Sequence, residues 1–221
     1  MRQTGNYLFL LVFLFVSMLL LMSVHNLMLM KLVGLCLITG LCASAFLITR
    51  RHRDQLILVP LGILALAVYV TTNTASEPFL LKFLDKILWL AFSGYLILIV
   101  FRQIFEAKSI KAQEIYGAIS IYLLLGFLFT QIYEIIMVID PAAISFDPRN
   151  FAGNSIQVGD VIYFSFVTLA TVGYGDVTPA IPAARAVCVI ESITGIMYVA
   201  IFIAKFVSIH SGRSAKSAEQ E

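Results

Sequence analysis

The chain has 221 residues, of which 60% are hydrophobic and 13% are charged, and its formal net charge at pH 7 is +2. Soluble domains are about 45–50% apolar and about 25% charged, so this composition excludes a soluble protein and indicates a membrane protein. The small net charge gives no sign of a nucleic-acid partner, and none is expected.

Apolar segments follow one another along the chain. A bilayer core of about 30 Å needs roughly 20 apolar residues as an α-helix. The first apolar run is about twice that length, so it must turn back, and the turn is predicted at His25-Asn26. The sequence therefore predicts six membrane spans, at about residues 7–24, 27–49, 55–72, 84–101, 113–139 and 183–209. Residues 159–170 are apolar but too short to cross, which predicts a re-entrant helix.

Basic side chains are distributed unevenly between the two ends of these spans. If the amino terminus is cytoplasmic, most Lys and Arg residues fall in the inner segments, as in the cluster Arg50, Arg51 and Arg53. Cytoplasmic loops of membrane proteins carry an excess of Lys and Arg. Both termini are therefore expected in the cytoplasm. The chain is expected to be a multi-pass protein of the cell inner (plasma) membrane.

Residues 1–106 are expected to form a four-helix membrane domain. A voltage sensor needs several arginines at three-residue spacing within one span. The fourth predicted span carries only Asp85 and Lys86 near its outer end. Steep voltage dependence is therefore not expected.

The hexapeptide TVGYGD, residues 171–176, is the most informative motif. An ion such as K⁺ that enters a narrow pore must exchange its hydration shell for other oxygens, which backbone carbonyls can supply. Successive carbonyls face one axis only if the chain visits left-handed conformations, and Gly173 and Gly175 can do so without steric cost. The hexapeptide resembles the selectivity filter of potassium channels, and the resemblance implies that the ion-binding residues are Thr171, Val172, Gly173, Tyr174 and Gly175, with K⁺ held at the first four.

From about residue 113 onward, the order of outer helix, pore helix, TVGYGD and inner helix resembles the pore domain of the tetrameric potassium-channel family, in its simple six-span bacterial form. The predicted fold is thus an all-α integral membrane protein with six transmembrane helices, a re-entrant pore helix and a selectivity filter. Residues 107–210 would be the pore domain and residues 211–221 a short cytoplasmic tail, with no appended ligand-sensing domain.

The resemblance implies a passive, potassium-selective channel that has no cofactor and binds K⁺ only as the permeant ion. Because one chain supplies one filter strand and a closed ring of carbonyls needs four, it also implies a homotetramer in the lipid bilayer. Enzymatic function has no support, since His25, His52 and His210 are scattered and no nucleophile–base grouping is present.

Residues around the filter differ in part from the usual family pattern. Asp160 is expected at the start of the pore helix, as the N-cap or in the first turn. Where many relatives have a tryptophan pair, this chain has Tyr163 and Phe164. By that match Tyr163 could donate a hydrogen bond to Asp176 and brace the outer mouth, whereas Phe164 has no N–H group for the Tyr174 hydroxyl.

The last span carries the candidate gate residues. Gly195 lies where the family often has a hinge glycine, although a glycine in a membrane helix can also be a close-packing site. By the same match, four apolar residues of this span would either line the cavity and the inner mouth or pack between inner helices. They are Ile196, Val199, Ile203 and Val207.

Two carboxylates within spans call for an explanation, because a charge inside a membrane is costly. Glu191 either faces the cavity as a ring of four that concentrates cations, or forms a hydrogen bond behind the filter with Thr168, Thr171 or Ser192. Glu134 is expected to brace the pore helix or the turret before it.

Other functions remain open. A secondary potassium transporter related to channels would carry four degenerate pore loops, whereas this chain has one complete TVGYG. A weakly selective cation channel would usually have lost the filter tyrosine, and Tyr174 is present. A non-conducting partner subunit is not excluded, because an intact filter does not show that the inner mouth opens. The sequence does not indicate the gating stimulus.

Overall fold

The computed structural model describes residues 7–23, 27–49, 51–72, 78–107, 111–147 and 157–218. These ranges contain seven helices and one two-stranded sheet. In chain order they are α1 (Tyr7–Ser23), α2 (Leu27–Ile48), α3 (His52–Thr71), α4 (Phe79–Phe105), α5 (Ala112–Ile139), β1 (Ile144–Phe146), α6 (Val158–Leu169), β2 (Val177–Pro179) and α7 (Pro182–Ala218).

The protein is an all-α membrane protein whose helices lie close to the predicted spans. Four helices are long and apolar enough to cross a membrane, namely α3, α4, α5 and α7 over Pro182–Ile209. The apolar helix α1 and the apolar stretch Leu32–Ile48 of α2 are shorter, at 10–17 residues. The count of six spans therefore stays a prediction.

The last helix is longer than its predicted span. It continues to Ala218 and so extends into residues 211–221, the segment expected to be a short tail. Helix α6, at 12 residues, has the length of the predicted re-entrant helix.

Helix α5 lies at the centre of the molecule and packs against α1, α4, α6 and α7. The main apolar core joins α5 to the first four helices, with Leu14, Phe92 and Leu124 all buried within it. Because this core crosses the predicted boundary near residue 107, the amino-terminal helices are packed onto the second half of the chain. The boundary itself stays a prediction.

A second, smaller core lies under the residues 171–176 and includes Tyr133, Phe164 and Leu169. Beside it, β1 and β2 pair as antiparallel strands, with Ser145 opposite Thr178. The sequence did not predict these strands, because three residues are too few to show an alternating pattern.

Candidate functional site

Left-handed backbone conformations occur at every second residue of the TVGYGD segment. Thr171, Gly173 and Gly175 have φ values of 58°, 56° and 82°, and they are the positive-φ residues in the part of the chain described. Since every second residue is left-handed, successive peptide groups are reversed relative to a regular strand or helix. This allows successive carbonyl groups to face the same side.

Two of these three conformations were predicted from sequence and one was not. Gly173 and Gly175 have open space where a Cβ would lie, with nothing within 4 Å, so backbone conformation and not crowding requires glycine there. Thr171 is β-branched, and positive φ is a rare and strained conformation for such a residue. That conformation costs on the order of 1–3 kcal/mol, which the surrounding structure must offset.

The segment lies on the surface of the single chain. Side chains of Val172 and Tyr174 are 52% and 70% exposed, and the two glycines between and after them are also exposed. In the single chain the TVGYGD segment, called the strand in the rest of this subsection, is therefore uncovered, and its left-handed positions recur at every second residue.

Helix α6 positions the start of this strand. At its beginning Asp160 lies in the first turn and accepts a hydrogen bond of 2.9 Å from the Gln157 backbone N–H. At its end the backbone N–H groups of Thr171 and Val172 donate back to the carbonyls of Thr168 and Val167, each at 2.9 Å. The chain therefore passes from the last turn into the strand without a loop, next to the partly negative end of the helix dipole.

The far end of the strand is held by Asp176. The Tyr163 hydroxyl donates to Asp176 Oδ2 at 2.7 Å, which is the contact that the sequence predicted. The Tyr163 and Tyr174 rings lie parallel, with 6.4 Å between their centroids. Phe164 is buried instead, and its ring packs against that of Tyr133 at 4.9 Å.

A short hairpin adds further support that sequence reasoning missed. The backbone N–H of Asp147, just after β1, donates to the Asp176 carbonyl at 2.8 Å. After β2 the Arg185 guanidinium donates to the carbonyls of Pro179 and Ala180 at 3.2 and 3.1 Å. The segments before α6 and after the strand are thus tied together.

Glu191 lies behind the strand and joins three helices. Its side chain is fully buried, and its two carboxylate oxygens accept hydrogen bonds of 2.6 Å from Tyr133 on α5 and Ser165 on α6. The expected partners were wrong, since the Ser192 hydroxyl instead lies against the carbonyls of Cys188 and Thr168. The carboxylate is also not on the exposed face of α7, where a ring facing the cavity would require it.

Comparison with known proteins relates part of this chain to ion channels. Residues 117–211 match the family described as "Ion channel". The two pore potassium channel c of Oryza sativa subsp. japonica is 44% identical over 64 residues, which are 28% of this chain and 14% of the rice protein. No solved structure matches.

Residues 117–211 are thus similar to ion channels, and part of the chain is similar to a potassium channel. As predicted from the sequence, α5, α6, residues 171–175 and α7 are named the outer helix, pore helix, filter segment and inner helix below. The match spans only about a seventh of the rice protein's length.

The inner helix of the pore domain packs directly on the pore helix at Gly195. A Cβ there would come within 2.0 Å of the Leu169 carbonyl oxygen, at the last turn of α6. The four apolar gate candidates of the inner helix are all exposed in the single chain. Their exposed fractions are 60% for Ile196, 46% for Val199, 58% for Ile203 and 58% for Val207.

The expected brace from Glu134 to the pore helix or turret is wrong. Glu134 accepts a hydrogen bond of 3.1 Å from Lys86 on α4, and Lys86 also lies 3.7 Å from Asp85. The ion pair therefore connects the outer helix of the pore domain to the amino-terminal helices. Because the partners are 48 residues apart, sequence reasoning had no signal for the pair.

Proposed function

We propose that this protein is a potassium-selective channel that conducts K⁺ passively through a ring of four TVGYG segments. The observation that carries the proposal is the alternating left-handed backbone at Thr171, Gly173 and Gly175. Carbonyl oxygens aligned in this way replace the hydration shell of a K⁺ ion as it enters. The pore-domain match and the similarity to a potassium channel support the same ion.

The proposed assembly is a homotetramer in the inner membrane, with both termini cytoplasmic. Val172 and Tyr174 lie on the uncovered surface of the single chain, and so does the apolar face of the inner helix that includes Ile196 and Ile203. A closed cyclic assembly would cover both surfaces at once. Four pore helices would then direct their partly negative ends toward one axis, which stabilises a cation there.

Opening is proposed to depend only weakly on voltage. The charged residues of α4 are Lys82, Asp85, Lys86 and Arg102, and none of them forms an arginine series at three-residue spacing. The buried ion pair between Lys86 and Glu134 would also restrain any movement of the charged Lys86 side chain across the membrane.

The test is K⁺ flux from liposomes that contain the purified protein, compared with Na⁺ flux and repeated with Ba²⁺. We expect K⁺ flux that Ba²⁺ blocks and that excludes Na⁺. Gly173→Ala should abolish the flux or its selectivity, because alanine cannot easily adopt φ of 56°. Gly94→Ala is the matched control, since a Cβ there meets only Leu128 at an ordinary 3.7 Å.

Two results would contradict the proposal. Equal fluxes of K⁺ and Na⁺ would indicate a weakly selective cation channel. Absence of flux from verified tetramers would indicate a subunit that does not conduct without a partner.

A further inference from the structure

A cavity of about 160 Å³ lies among the first five helices and reaches the first residue of the pore helix, Val158. Most of its wall is apolar and includes Leu14, Ile38, Leu96 and Phe127. The cavity is separate from the filter segment, and none of the residues of TVGYGD lines it. Its size is close to that of cavities of about 150 Å³ that bind benzene.

An incompletely balanced group of charges borders this cavity. Lys86 donates a hydrogen bond to Glu134, but the distance from its Nζ to Asp85 Oδ2 is 3.7 Å, too long for a second one. Asp85 is only 4% exposed. Among the described side chains, Asp85 and Glu134 share one ammonium group, that of Lys86, and a buried carboxylate that is incompletely paired is costly.

Three buried polar atoms beside the cavity have no hydrogen-bond partner in the part of the chain that the structure describes. They are Asp85 Oδ1, Trp89 Nε1 and Gln131 Oε1. The Trp89 indole lies one helical turn from Asp85 and near its carboxylate, but the two do not have hydrogen-bond geometry. Buried polar atoms in proteins are normally paired, so these atoms indicate a missing partner.

We propose that the cavity binds a small organic cation with a primary ammonium group and a short apolar body. An ammonium group has three N–H donors and no acceptor, which matches the free oxygens of Asp85 and Gln131. It also supplies a second positive charge beside the two carboxylates. The apolar body would pack against the aliphatic wall, while the Trp89 ring offers a surface that cations favour. The Trp89 N–H is a donor that an ammonium group cannot pair with, so a water molecule beside the ligand would accept from it.

Other occupants fit less well. A bare metal ion would need several oxygen ligands around it, and the mostly apolar wall does not provide them. A neutral molecule of the same size would leave Asp85 and Glu134 sharing the one ammonium group of Lys86. Water alone could bridge the free oxygens but would leave the apolar wall without contacts.

The chain's single tryptophan provides the measurement. Because Trp89 lines the cavity, its fluorescence should change when n-butylammonium binds to the full-length protein in neutral detergent. The titration is made at constant ionic strength in saturating KCl, so that K⁺ competes with any ammonium at the filter. We expect a saturable change whether or not the protein conducts ions.

Asp85→Asn should weaken this binding by roughly tenfold or more, because it removes a charge-assisted hydrogen bond. It leaves the shorter Lys86–Glu134 pair in place and removes only the 3.7 Å contact with Lys86, so the fold should persist. Gln131→Met, which keeps the side-chain volume, should weaken binding by several-fold. Glu106→Gln is the matched control directly after the same helix, since that carboxylate is exposed and its replacement should leave the affinity unchanged.

Ligand controls separate charge from shape. Butan-1-ol has the same apolar chain without the charge, and n-butyltrimethylammonium has the charge without N–H donors. Both should bind at least about tenfold more weakly than n-butylammonium. The proposal would be overturned if n-butylammonium gave no saturable signal, if butan-1-ol bound equally well, or if both Asp85→Asn and Gln131→Met bound like the wild type.

Discussion

Glu191 is the residue through which the inner helix, outer helix and pore helix are connected. Its two short hydrogen bonds, to Tyr133 and Ser165, lie in a fully buried site directly behind the filter. A buried carboxylate without these donors would be strongly destabilising. The site therefore sets the relative position of three helices as well as satisfying a charge.

Tyr133→Phe tests this connection, because it removes one donor and leaves the ring in place. We expect the free energy of unfolding to fall by about 1–3 kcal/mol, because a buried oxygen of Glu191 loses its hydrogen-bond partner. Denaturant unfolding in detergent, followed by circular dichroism, measures the change. The same substitution in a Glu191→Gln background should cost less, and equal costs in the two backgrounds would show that the pair is not coupled.

Tyr116→Phe is the matched control for that experiment. Tyr116 is on the same helix, and its hydroxyl makes no hydrogen bond within the described residues. Its replacement should change the free energy of unfolding by less than about 0.5 kcal/mol.

Tyr163→Phe addresses the outer end of the filter segment. The variant loses the 2.7 Å hydrogen bond to Asp176 but keeps the ring beside Tyr174. Since selectivity depends on backbone carbonyls, we expect the K⁺ to Na⁺ ratio to stay unchanged. Loss of the brace should make the K⁺ current decline faster during sustained conduction, which single-channel or macroscopic recording in bilayers can measure. A current as steady as that of the wild type would mean that the bond does not support the filter.

At the residue scale, the sequence predicted a conformation correctly where that conformation strongly favours a single residue type. Gly173 and Gly175 were predictable because left-handed backbone favours glycine. Thr171 was not, since its conformation is imposed by its neighbours, although continuing the period of two backward from the glycines would have indicated it. The partners of Glu191 were missed because they lie 58 and 26 residues away in sequence.

At the scale of elements, the contact between the inner helix and the pore helix distinguishes the two interpretations of Gly195. If the glycine serves close packing, Gly195→Ala should destabilise the protein by about 1–3 kcal/mol, because the new Cβ would overlap the Leu169 carbonyl. If it serves as a hinge, stability should be nearly unchanged and only channel opening should differ.

Thermal unfolding of the tetramer and K⁺ flux, measured on the same preparation, separate these outcomes. Gly94→Ala again provides the control, and it should be neutral or slightly stabilising because alanine favours helix over glycine. We expect Gly195→Ala to lower both the unfolding temperature and the flux, as close packing requires.

The helices themselves were predictable because the length of an apolar run reports a membrane helix directly. The position of α6 was predictable because its apolar run is too short to cross a bilayer. The β1–β2 hairpin and its bond from Asp147 to Asp176 were not predictable, since both depend on two loops meeting in space. The extension of α7 to Ala218 was missed because polar residues in a helix give no hydropathy signal.

At the scale of the whole molecule, the amino-terminal helices are part of the pore domain's support. Helix α1 contacts both α5 and α6, and a Cβ at Gly159 on the pore helix would lie 2.7 Å from the Leu21 carbonyl oxygen of α1. The Lys86–Glu134 pair adds a second link, from α4 to α5. A change among the first four helices can therefore reach the pore helix through direct contacts.

The number of chains around the pore can be determined by mixing subunits. Gly173→Ala chains that no longer conduct are co-expressed with wild-type chains in equal amounts, and K⁺ flux per protein is measured in liposomes. If each ring needs four intact filter segments, a symmetric tetramer should retain about one sixteenth of the wild-type flux. Gly94→Ala, co-expressed in the same way, should retain all of it. A residual flux near one quarter of the wild-type value would indicate a pore built from two chains. A residual flux near one half would indicate that each chain conducts alone, which the exposed Val172 and Tyr174 argue against.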